Sequence, residues 1–335
     1  MSTTEIINQI QEMEKANLIS YVLADRLQGP SASIATDALG LFYRHLEAMG
    51  ESSRIILFLY STGGDTMVPW RLINLIREYC KELITLVPDK AFSAATMLCL
   101  GSDEIVMTKM AVLSPIDPSV ANAFNPPFPT PPGAPPQAAQ RVPISVEDVV
   151  AYLRLASDRA GLTTPEGKIA AFQQLVHEVH PLALGNVERS HTLIRSLAKK
   201  LLGLHMNITD PKEEKKCKEI VDTLTEKLYS HQHMIPRKEA KDIIGLKVRF
   251  PSNELEALMM KLYKEYQKDL GIGEMLNPIT MLDNRTEMPM ELAIAKIETV
   301  NTEDKYIMKG KIIRAAQPNQ APAVNILEQG WHTVR

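Results

Sequence analysis

The 335-residue sequence is poor in cysteine, with only Cys80, Cys99 and Cys217. Three scattered thiols predict no disulfide framework, because such frameworks use an even number of cysteines in a compact secreted chain. No metal-ligand spacing relates them to one another, which argues against a zinc site. We therefore expect reduced, inert thiols in a cytoplasmic protein.

The sequence also lacks long apolar runs, a leader and a strong charge of one sign. No window holds 18 uncharged apolar residues, so we expect no membrane span. The first 18 residues are acidic and contain no basic stretch followed by an apolar block, which argues against a signal peptide. The net charge of −3 gives no reason to expect nucleic acid as a partner.

The first predicted segment, residues 1–50, reads as two N-terminal helices. An apolar stripe from Ile6 to Leu23 predicts a helix over residues 3–27, which could pack on the core or on a second subunit. A second helix is predicted over residues 37–49, ending at Gly50. His45 on this helix is expected to be a solvated surface residue.

The second segment, residues 51–121, alternates short apolar runs with helical patterns. The runs Ile55–Tyr60, Leu83–Val87 and Glu104–Met107 are typical of strands that are buried on both faces. This βαβα order predicts an α/β fold with a mostly parallel sheet, and such sheets bind ligands at the carboxyl ends of their strands.

Two features of an acyl-transfer site stand at such strand ends. Gly63 and Gly64 follow the first run, and paired glycines let the backbone approach a ligand and direct N–H groups at it. Ser93 opens a later helix and supplies a hydroxyl. Each feature alone has a plain alternative, a simple turn for the glycines and small-residue packing for the serine.

Four motifs appear in order over some 65 residues: Ser61-Thr-Gly-Gly-Asp65, Ser93-Ala-Ala-Thr96, Asp103-Glu-Ile-Val-Met107 and Ser114-Pro-Ile-Asp-Pro118. They resemble the Clp protease/crotonase superfamily, and within it the serine dehydrogenase proteinase family, relatives of signal peptide peptidase A. The likeness spans roughly residues 50–250 and departs at Ala95, where glycine is common.

The resemblance implies a Clp protease/crotonase-like ββα spiral core with added helices and a C-terminal hairpin. It also implies Ser93 as the nucleophile, with an oxyanion hole formed by the amides of Gly63, Gly64 and Ala94. No cofactor is implied. Relatives assemble into rings or barrels, so a homo-oligomer is expected, with the proline-rich segment and the N-terminal helix as its contacts.

The general base does not transfer cleanly from the family. Relatives use a histidine just past the third strand, where this chain has Asp117, or a lysine 40 to 50 residues beyond the serine, where it has Arg141. We predict His180, which precedes a helix-starting proline, as the base, and Asp117 as the residue that orients it. Alternative bases are Lys109, His177, His231 and His233. Taken alone, each histidine is more typical of a structural residue and Lys109 of a surface charge, while Asp117 could equally cap its own turn.

Three further segments complete the prediction. Residues 122–143 are proline-rich and predict an exposed loop or a flap over the site. Residues 144–250 continue the catalytic domain as helices. Residues 251–335 form an extension, with a helix over 252–270 and a hairpin of 292–299 and 306–315, which could cover a sheet edge or mediate assembly.

The resulting hypothesis is a serine peptidase that acts on peptide or unfolded protein through a Ser93 acyl-enzyme. One alternative is a catalytically inactive scaffold or regulatory member of the fold, since the standard base is missing. The other is an acyl-CoA enzyme of the crotonase type, for which Asp65 and Asp117 would supply carboxylates. The sequence has no Walker motif, so ATP-driven unfolding would require a separate ATPase or regulatory partner. We expect no metal, because no acidic or cysteine partner has matching spacing to His231 and His233.

Overall fold

The structure is a computed structural model that describes residues 2–116, 119–120, 122–127, 141–228, 230, 232–315 and 321–335, with the backbone alone at 119–120. The predicted positions Asp117 and His231 lie outside the described residues, as does most of the proline-rich segment. The chain forms two compact units. Residues 1–114, 201–207 and 234–335 make up the first, and residues 115–200 and 208–233 the second.

The described residues form thirteen strands and ten α-helices. The strands are β1 (Asn17–Leu23), β2 (Ser52–Tyr60), β3 (Cys80–Val87), β4 (Lys90–Ala91), β5 (Glu104–Met107), β6 (Val112–Leu113), β7 (Ser119–Val120), β8 (Ile144–Ser145), β9 (Ile235–Pro236), β10 (Val248–Arg249), β11 (Glu287–Glu298), β12 (Glu303–Ile313) and β13 (Ala323–Thr333). The helices are α1 (Thr3–Glu14), α2 (Ala38–Met49), α3 (Val68–Arg77), α4 (Ala94–Leu100), α5 (Val146–Arg154), α6 (Pro165–Glu178), α7 (Pro181–Leu202), α8 (Pro211–Asp222), α9 (Asn253–Leu270) and α10 (Pro278–Leu282).

An eight-stranded sheet in the order β10-β5-β3-β2-β1-β11-β12-β13 organises the first unit. Its first five strands are parallel, and its last three join β1 by antiparallel pairing. A helix connects each parallel strand to the next along the chain from β1 to β5, which is the arrangement expected of βα units. The predicted α/β class with a mostly parallel core is confirmed.

The parallel strands are continuous apolar runs because both faces of the sheet are covered. On one face, Ile56 and Phe58 of β2 and Ile84 of β3 belong to a buried cluster with residues of α1 and α9. On the other face, Tyr21 of β1 packs edge-on against Phe42 of α2, with ring centroids 5.2 Å apart. This two-sided burial leaves the carboxyl ends of the strands as the places where polar chemistry can reach solvent.

The predicted helix over residues 3–27 is wrong in its second half. Helix α1 ends at Glu14, Lys15 adopts a left-handed conformation as its C-cap, and β1 follows. The apolar run of β1 fits a strand because its alternate side chains are buried on opposite faces of the sheet. The stripe on α1 itself packs on the core, since Ile6, Ile7 and Ile10 are fully buried.

The expectation that His45 lies on the surface is also wrong. Its side chain is fully buried, and its Nε2 lies 2.8 Å from Oδ2 of Asp304 in β12. Strands β12 and β13 cover α2, with Trp331 Nε1 donating to Asp37 Oδ2 at the start of the helix. A sequence pattern local to α2 could not predict this cover, because it comes from residues some 260 positions away.

The predicted C-terminal helix and hairpin are confirmed as α9 and as β11 with β12. The hairpin covers a sheet edge, because β11 pairs with β1 from Ser20 opposite Glu298 to Leu23 opposite Ala295. The third strand of this layer, β13, was not predicted. The predicted segments 1–50, 51–121 and 251–335 thus contribute strands to one sheet.

The second unit is mainly helical, as predicted for residues 144–200. Helix α5 continues into a π-helical turn at Leu155–Arg159, and α8 into another at Thr223–Lys227. Arg195 of α7 joins α8 and its π-turn by ion pairs to Asp222 and Glu226. All but the last two residues of α7 belong to this unit.

Candidate active site

The backbone at Ser93 is held in an unusual conformation. Ser93 stands between β4 and α4 with φ 51° and ψ −113°, and only Lys15 and Asp283 are other non-glycine residues with positive φ in the described chain. Such conformations cost on the order of 1–3 kcal/mol and persist only where the surroundings impose them. This strained conformation makes Ser93 a candidate functional residue.

Two hydroxyl side chains impose this conformation. The Ser93 N–H donates to Ser114 Oγ at 2.8 Å. The Thr96 hydroxyl donates to the carbonyl oxygen of Ala91 at 2.7 Å and accepts the Ser114 N–H at 3.2 Å. The segments before and after Ser93 are therefore tied to the same turn. Thr96 and Ser114 belong to the second and fourth sequence motifs, but their role in holding Ser93 is not evident from the sequence.

The hydroxyl of Ser93 is left available. Serine at the start of a helix usually accepts a hydrogen bond from a backbone N–H of the first turn, as Ser252 does from Leu255 and Ser145 from Asp148. Ser93 makes no such cap, and within the described part of the chain its Oγ has no hydrogen-bond partner. Its side chain is half-buried, so a substrate can reach it.

Gly63 lies directly against Ser93. A Cβ on Gly63 would stand 2.9 Å from the Cβ of Ser93 and 3.0 Å from the carbonyl oxygen of Phe92. The Phe92 N–H donates to the carbonyl oxygen of Ser61 at 3.0 Å, which holds the two loops side by side. The structure therefore brings together Ser93 and the glycine pair, which the sequence places about 30 residues apart.

The available N–H donors differ from the expected set. The Gly63 N–H already donates to Ser61 Oγ at 3.0 Å. In the part of the chain that the structure covers, the N–H groups of Gly64 and Ala94 donate to no protein acceptor. Two of the three predicted oxyanion donors are thus free, while Gly63 serves the site by its lack of a side chain.

Gly64 is held by a segment that sequence reasoning missed. Ile34 donates its N–H to the Gly63 carbonyl at 2.8 Å, and its own carbonyl accepts the Asp65 N–H at 2.8 Å. A Cβ on Gly64 would lie 2.3 Å from the carbonyl oxygen of Ile34, and Gly64 has φ 149°. Only glycine fits this position. No sequence signal marked Ile34, which follows the break after β1.

An ion pair near the strand ends was also missed. Lys90, three residues before Ser93, places its Nζ 2.7 Å from Oδ2 of Asp25 at the end of β1. The Tyr60 hydroxyl lies 3.4 Å from the same oxygen, and burial raises the pKa of Tyr60. The position of Lys90, three residues before Ser93, is the sequence signal that could have identified it. Its pairing with Asp25 makes it an anchor of the loop before Ser93.

Lys109, an alternative base, sits on the surface of the first unit. Its Nζ pairs with Glu256 at 3.3 Å, and 68% of its side chain is exposed. His205, which is half-buried in the same unit, places Nε2 2.9 Å from the carbonyl oxygen of Leu100, and desolvation lowers its pKa. Leu100 ends α4, about 10 Å along the helix from Ser93 at 1.5 Å per residue.

The predicted base, His180, belongs to the second unit. Its ring stacks on Phe124 with centroids 4.9 Å apart, and its Nδ1 accepts the N–H of Leu182 at 3.1 Å. A neutral ring in this state carries its proton on Nε2 and has no free lone pair to accept a proton. In a catalytic triad the arrangement is the reverse, with a proton on Nδ1 and the lone pair on Nε2.

The other predicted histidines of the described chain are in the second unit as well. His177 is exposed, and its Nδ1 lies 3.3 Å from Glu178. His233 donates its N–H to the carbonyl of Ser230 at 2.9 Å. Among the described residues, no group of three or more histidine, cysteine, aspartate and glutamate side chains could hold a metal ion.

No family model matches the sequence. The chain is 22% identical over 238 residues to the uncharacterized protein MJ0137 of Methanocaldococcus jannaschii, a match that covers 70% of this chain and 66% of that protein. It is 27% identical over 77 residues to the uncharacterized protein MJ1495 of the same organism, which covers 23% of this chain and 26% of that protein. The matches thus span less than two thirds of either relative.

Solved structures that resemble the chain include two of the 1510-N membrane-bound stomatin-specific protease. A serine-to-alanine mutant gives a TM-score of 0.38 at 13% identity, covering 77% of this chain and 87% of that one. A lysine-to-alanine mutant in complex with a substrate peptide gives 0.36 at 14% identity, covering 72% and 79%.

A third solved structure is an enoyl-CoA hydratase from Shewanella pealeana, with a TM-score of 0.22 at 18% identity, covering 34% of this chain and 53% of that one. Within the described ranges, no helix has both the length and the apolar character that crossing a membrane requires.

Proposed function

We propose that the protein is a serine hydrolase that cleaves peptide bonds through an acyl-enzyme on Ser93. One observation carries the proposal. A strained backbone presents the Ser93 hydroxyl next to a glycine loop, and among the described residues neither that hydroxyl nor the N–H groups of Gly64 and Ala94 have a hydrogen-bond partner. A serine that served only to start a helix would adopt an ordinary conformation and cap the first turn, as Ser252 does.

The proposed reaction begins when Ser93 Oγ attacks the carbonyl carbon of the substrate. The carbonyl oxygen becomes an oxyanion, which accepts hydrogen bonds from the N–H groups of Gly64 and Ala94. The proton of the hydroxyl passes to a general base and then to the departing amine, which leaves the acyl group on Oγ. Water, deprotonated by the same base, attacks the ester, releases the acid and returns the proton to Ser93.

His180 is our proposed base, with Asp117 as the residue that orients it. For this role the His180 ring must release the Leu182 N–H, because its lone pair on Nδ1 is otherwise engaged. Lys109, His177, His231 and His233 remain alternatives. Lys109 would first have to leave its ion pair with Glu256.

The substrate we propose is a peptide or an unfolded protein segment. The half-buried Ser93 and the exposed Gly64 give an extended chain access to the site. We further propose that the protein is a cytoplasmic homo-oligomer, and that an ATPase or regulatory partner would be needed for folded substrates.

The test is intact-mass spectrometry after treatment with a fluorophosphonate probe. We expect one adduct on the unchanged protein and none on Ser93→Ala. Ser252→Ala is the matched control, because it removes a serine from another helix start in the same unit, and its adduct should be unchanged. An adduct that survives in Ser93→Ala would overturn the assignment.

The same measurement on His180→Ala tests the base. A large loss in the rate of adduct formation is expected, because base-assisted attack contributes about 10²–10⁴-fold. His332→Ala serves as the control, since it removes a histidine that is not among the candidate bases. An unchanged rate in His180→Ala would assign the base to another residue.

A second candidate function is that of an inactive scaffold. The observation that favours it is the engaged Nδ1 of His180. A folded protein that forms no adduct, at any pH where it is stable, would support the scaffold over the hydrolase.

A further inference from the structure

Strand β13 forms one edge of the large sheet. The sheet order ends at β13, and its eleven residues pair on one side only, with β12. Among the residues that the structure describes, no strand lies beyond it. The opposite edge is β10, which is only two residues long. The sheet therefore has one short edge and one long one.

Long edges are usually protected by lysine, proline or an inward-pointing charge. Residues 323–333, AVNILEQGWHT, contain no lysine, arginine or proline. The one irregularity is a bulge, where the pairing with β12 shifts between Ile326 and Glu328, and Leu327 is 65% exposed. Beyond the bulge, residues 328–333 pair with β12 in unbroken register, which leaves a regular stretch of edge open.

This stretch is complementary to itself. In antiparallel pairing centred on Gly330, Glu328 would lie opposite His332 of the partner subunit, and Gly330 opposite Gly330 of the partner subunit. A carboxylate and an imidazole directly across a strand pair can form a hydrogen bond, and such cross-strand pairs are favourable. Within one chain, Glu328 Oε1 and His332 Nε2 already lie 3.8 Å apart across Gly330, so both side chains lie on the same face of the strand.

Gly330 leaves the centre of this stretch open. A Cβ placed on Gly330 would meet no atom within 4 Å, and its φ is not in the left-handed region. The position would therefore accept a side chain without strain in the isolated chain. Two copies can approach closely there because neither carries a side chain at the symmetry axis.

We propose that a second copy of this chain binds along β13, antiparallel and with the twofold axis at Gly330, so that the two sheets become one. A twofold pairing of this kind is closed, because each copy uses the one long sheet edge that its described residues leave open. The proposal goes beyond the hydrolase function and does not depend on it. It also places the contact away from α1, whose apolar stripe is buried in the core.

Cysteine cross-linking tests both the contact and its register. In antiparallel pairs, opposite Cα atoms lie about 4.5–5.5 Å apart, within the range that a disulfide can span. We expect Gly330→Cys to form a covalent dimer under mild oxidation. Val324→Cys is the matched control. It lies on the same strand, but its two copies would be roughly 40 Å apart in this register, so it should remain monomeric on a non-reducing gel.

The unchanged protein measures the background of disulfide cross-linking through Cys80, Cys99 and Cys217. A covalent dimer in Val324→Cys but not in Gly330→Cys would overturn the register. Absence of a dimer in both variants would overturn the proposal. If Gly330→Cys instead cross-links to an added cysteine-containing extended peptide and not to itself, the edge binds peptide segments and the second copy is ruled out.

Exchanging the side chains of this pair provides a test that does not depend on cross-linking. Dimer formation is measured by sedimentation. Glu328→Lys should weaken the dimer by roughly 2- to 30-fold, because it removes the carboxylate that faces His332 of the partner subunit at two symmetric places. The double variant Glu328→Lys with His332→Glu should restore association, since the pair is reversed in both copies. Circular dichroism checks that both variants are folded. A double variant as weak as Glu328→Lys alone would contradict the pairing.

Discussion

The two halves of the large sheet differ in what surrounds them. The parallel half, β10-β5-β3-β2-β1, is covered on both faces and ends at the loops of Gly63, Gly64 and Ser93. The antiparallel half, β11-β12-β13, reaches solvent, and the last strand is largely exposed. The buried half can hold a strained loop because its packing over-determines the backbone. The exposed half carries no such strain and offers an edge.

This contrast predicts where substitutions do the most damage. In the parallel half, changes near the strand ends act on both stability and chemistry, because the loops are fixed by the packing beneath them. In the antiparallel half, the same kinds of change should act on stability alone and by smaller amounts.

The largest effect is expected for Gly64→Ala. The new Cβ would lie 2.3 Å from the Ile34 carbonyl oxygen and force a positive φ on alanine. We expect a loss of about 2–4 kcal/mol in the free energy of unfolding, measured with urea. The fluorophosphonate adduct should also disappear, because the Gly64 N–H moves.

Gly40→Ala is the control for this variant. Gly40 lies within α2, and a Cβ there meets nothing within 4 Å. Alanine should stabilise this helix by about 0.5–1 kcal/mol and leave the adduct intact. Equal urea midpoints and adduct yields for Gly64→Ala and the unchanged protein would show that the Ile34 contact is dispensable.

The next effect compares one substitution in the two halves. Ile84 of β3 is fully buried, and Ile84→Ala should cost about 2–5 kcal/mol. Ile307 of β12 is half-buried, and Ile307→Ala should cost roughly 1 kcal/mol or less. Urea unfolding of both variants measures the difference. Equal costs would mean that the antiparallel half is packed as tightly as the parallel half.

Much of the parallel half could be predicted from sequence because its signals are local. The apolar runs of β2, β3 and β5 stand within a few residues of the glycine and serine loops that they position. The free N–H groups of Gly64 and Ala94 could also be predicted from the local sequence. Gly64 lies in the loop after β2, and Ala94 is the first residue of α4. The engaged N–H of Gly63 could not be predicted, because it depends on the rotamer of Ser61.

The antiparallel half was harder to predict because its contacts join distant parts of the chain. The burial of His45 depends on Asp304, and the place of β11 depends on pairing with β1. In the parallel half, β1 was the strand predicted wrongly, because Leu18 and Val22 continue the apolar stripe of α1 although they belong to a strand. The His180 tautomer likewise depends on a backbone contact that no spacing reveals.

His45 makes the stability of the junction between α2 and β12 depend on pH. Burial lowers the pKa of His45, although Asp304 and Glu298 oppose that shift and Arg44 supports it. The native state therefore holds neutral His45, while the unfolded chain binds a proton as the pH falls below about 6.5. Stability should be complete above that pH and decrease below it, by at most about 1.4 kcal/mol per pH unit.

Thermal unfolding measured from roughly pH 7.5 to pH 5, the range in which histidine titrates, gives the slope of stability against pH. His45→Gln should flatten it while keeping a donor to Asp304. Part of the slope should remain, because burial also lowers the pKa of His205. An unchanged slope in His45→Gln would show that His45 does not titrate with folding.

The smallest effect is expected for Lys311→Gln in the antiparallel half. Lys311 Nζ lies 3.1 Å from Glu287 Oε1 across β11 and β12, and both side chains are about half exposed. Solvent and salt screen such a pair, so its loss should cost roughly 0.5 kcal/mol or less, and nothing measurable in high salt. Urea unfolding at two salt concentrations measures this cost. A loss above about 1 kcal/mol that persists in high salt would mean that the Lys311–Glu287 pair is shielded from solvent. The antiparallel half would then be as protected from solvent as the parallel half.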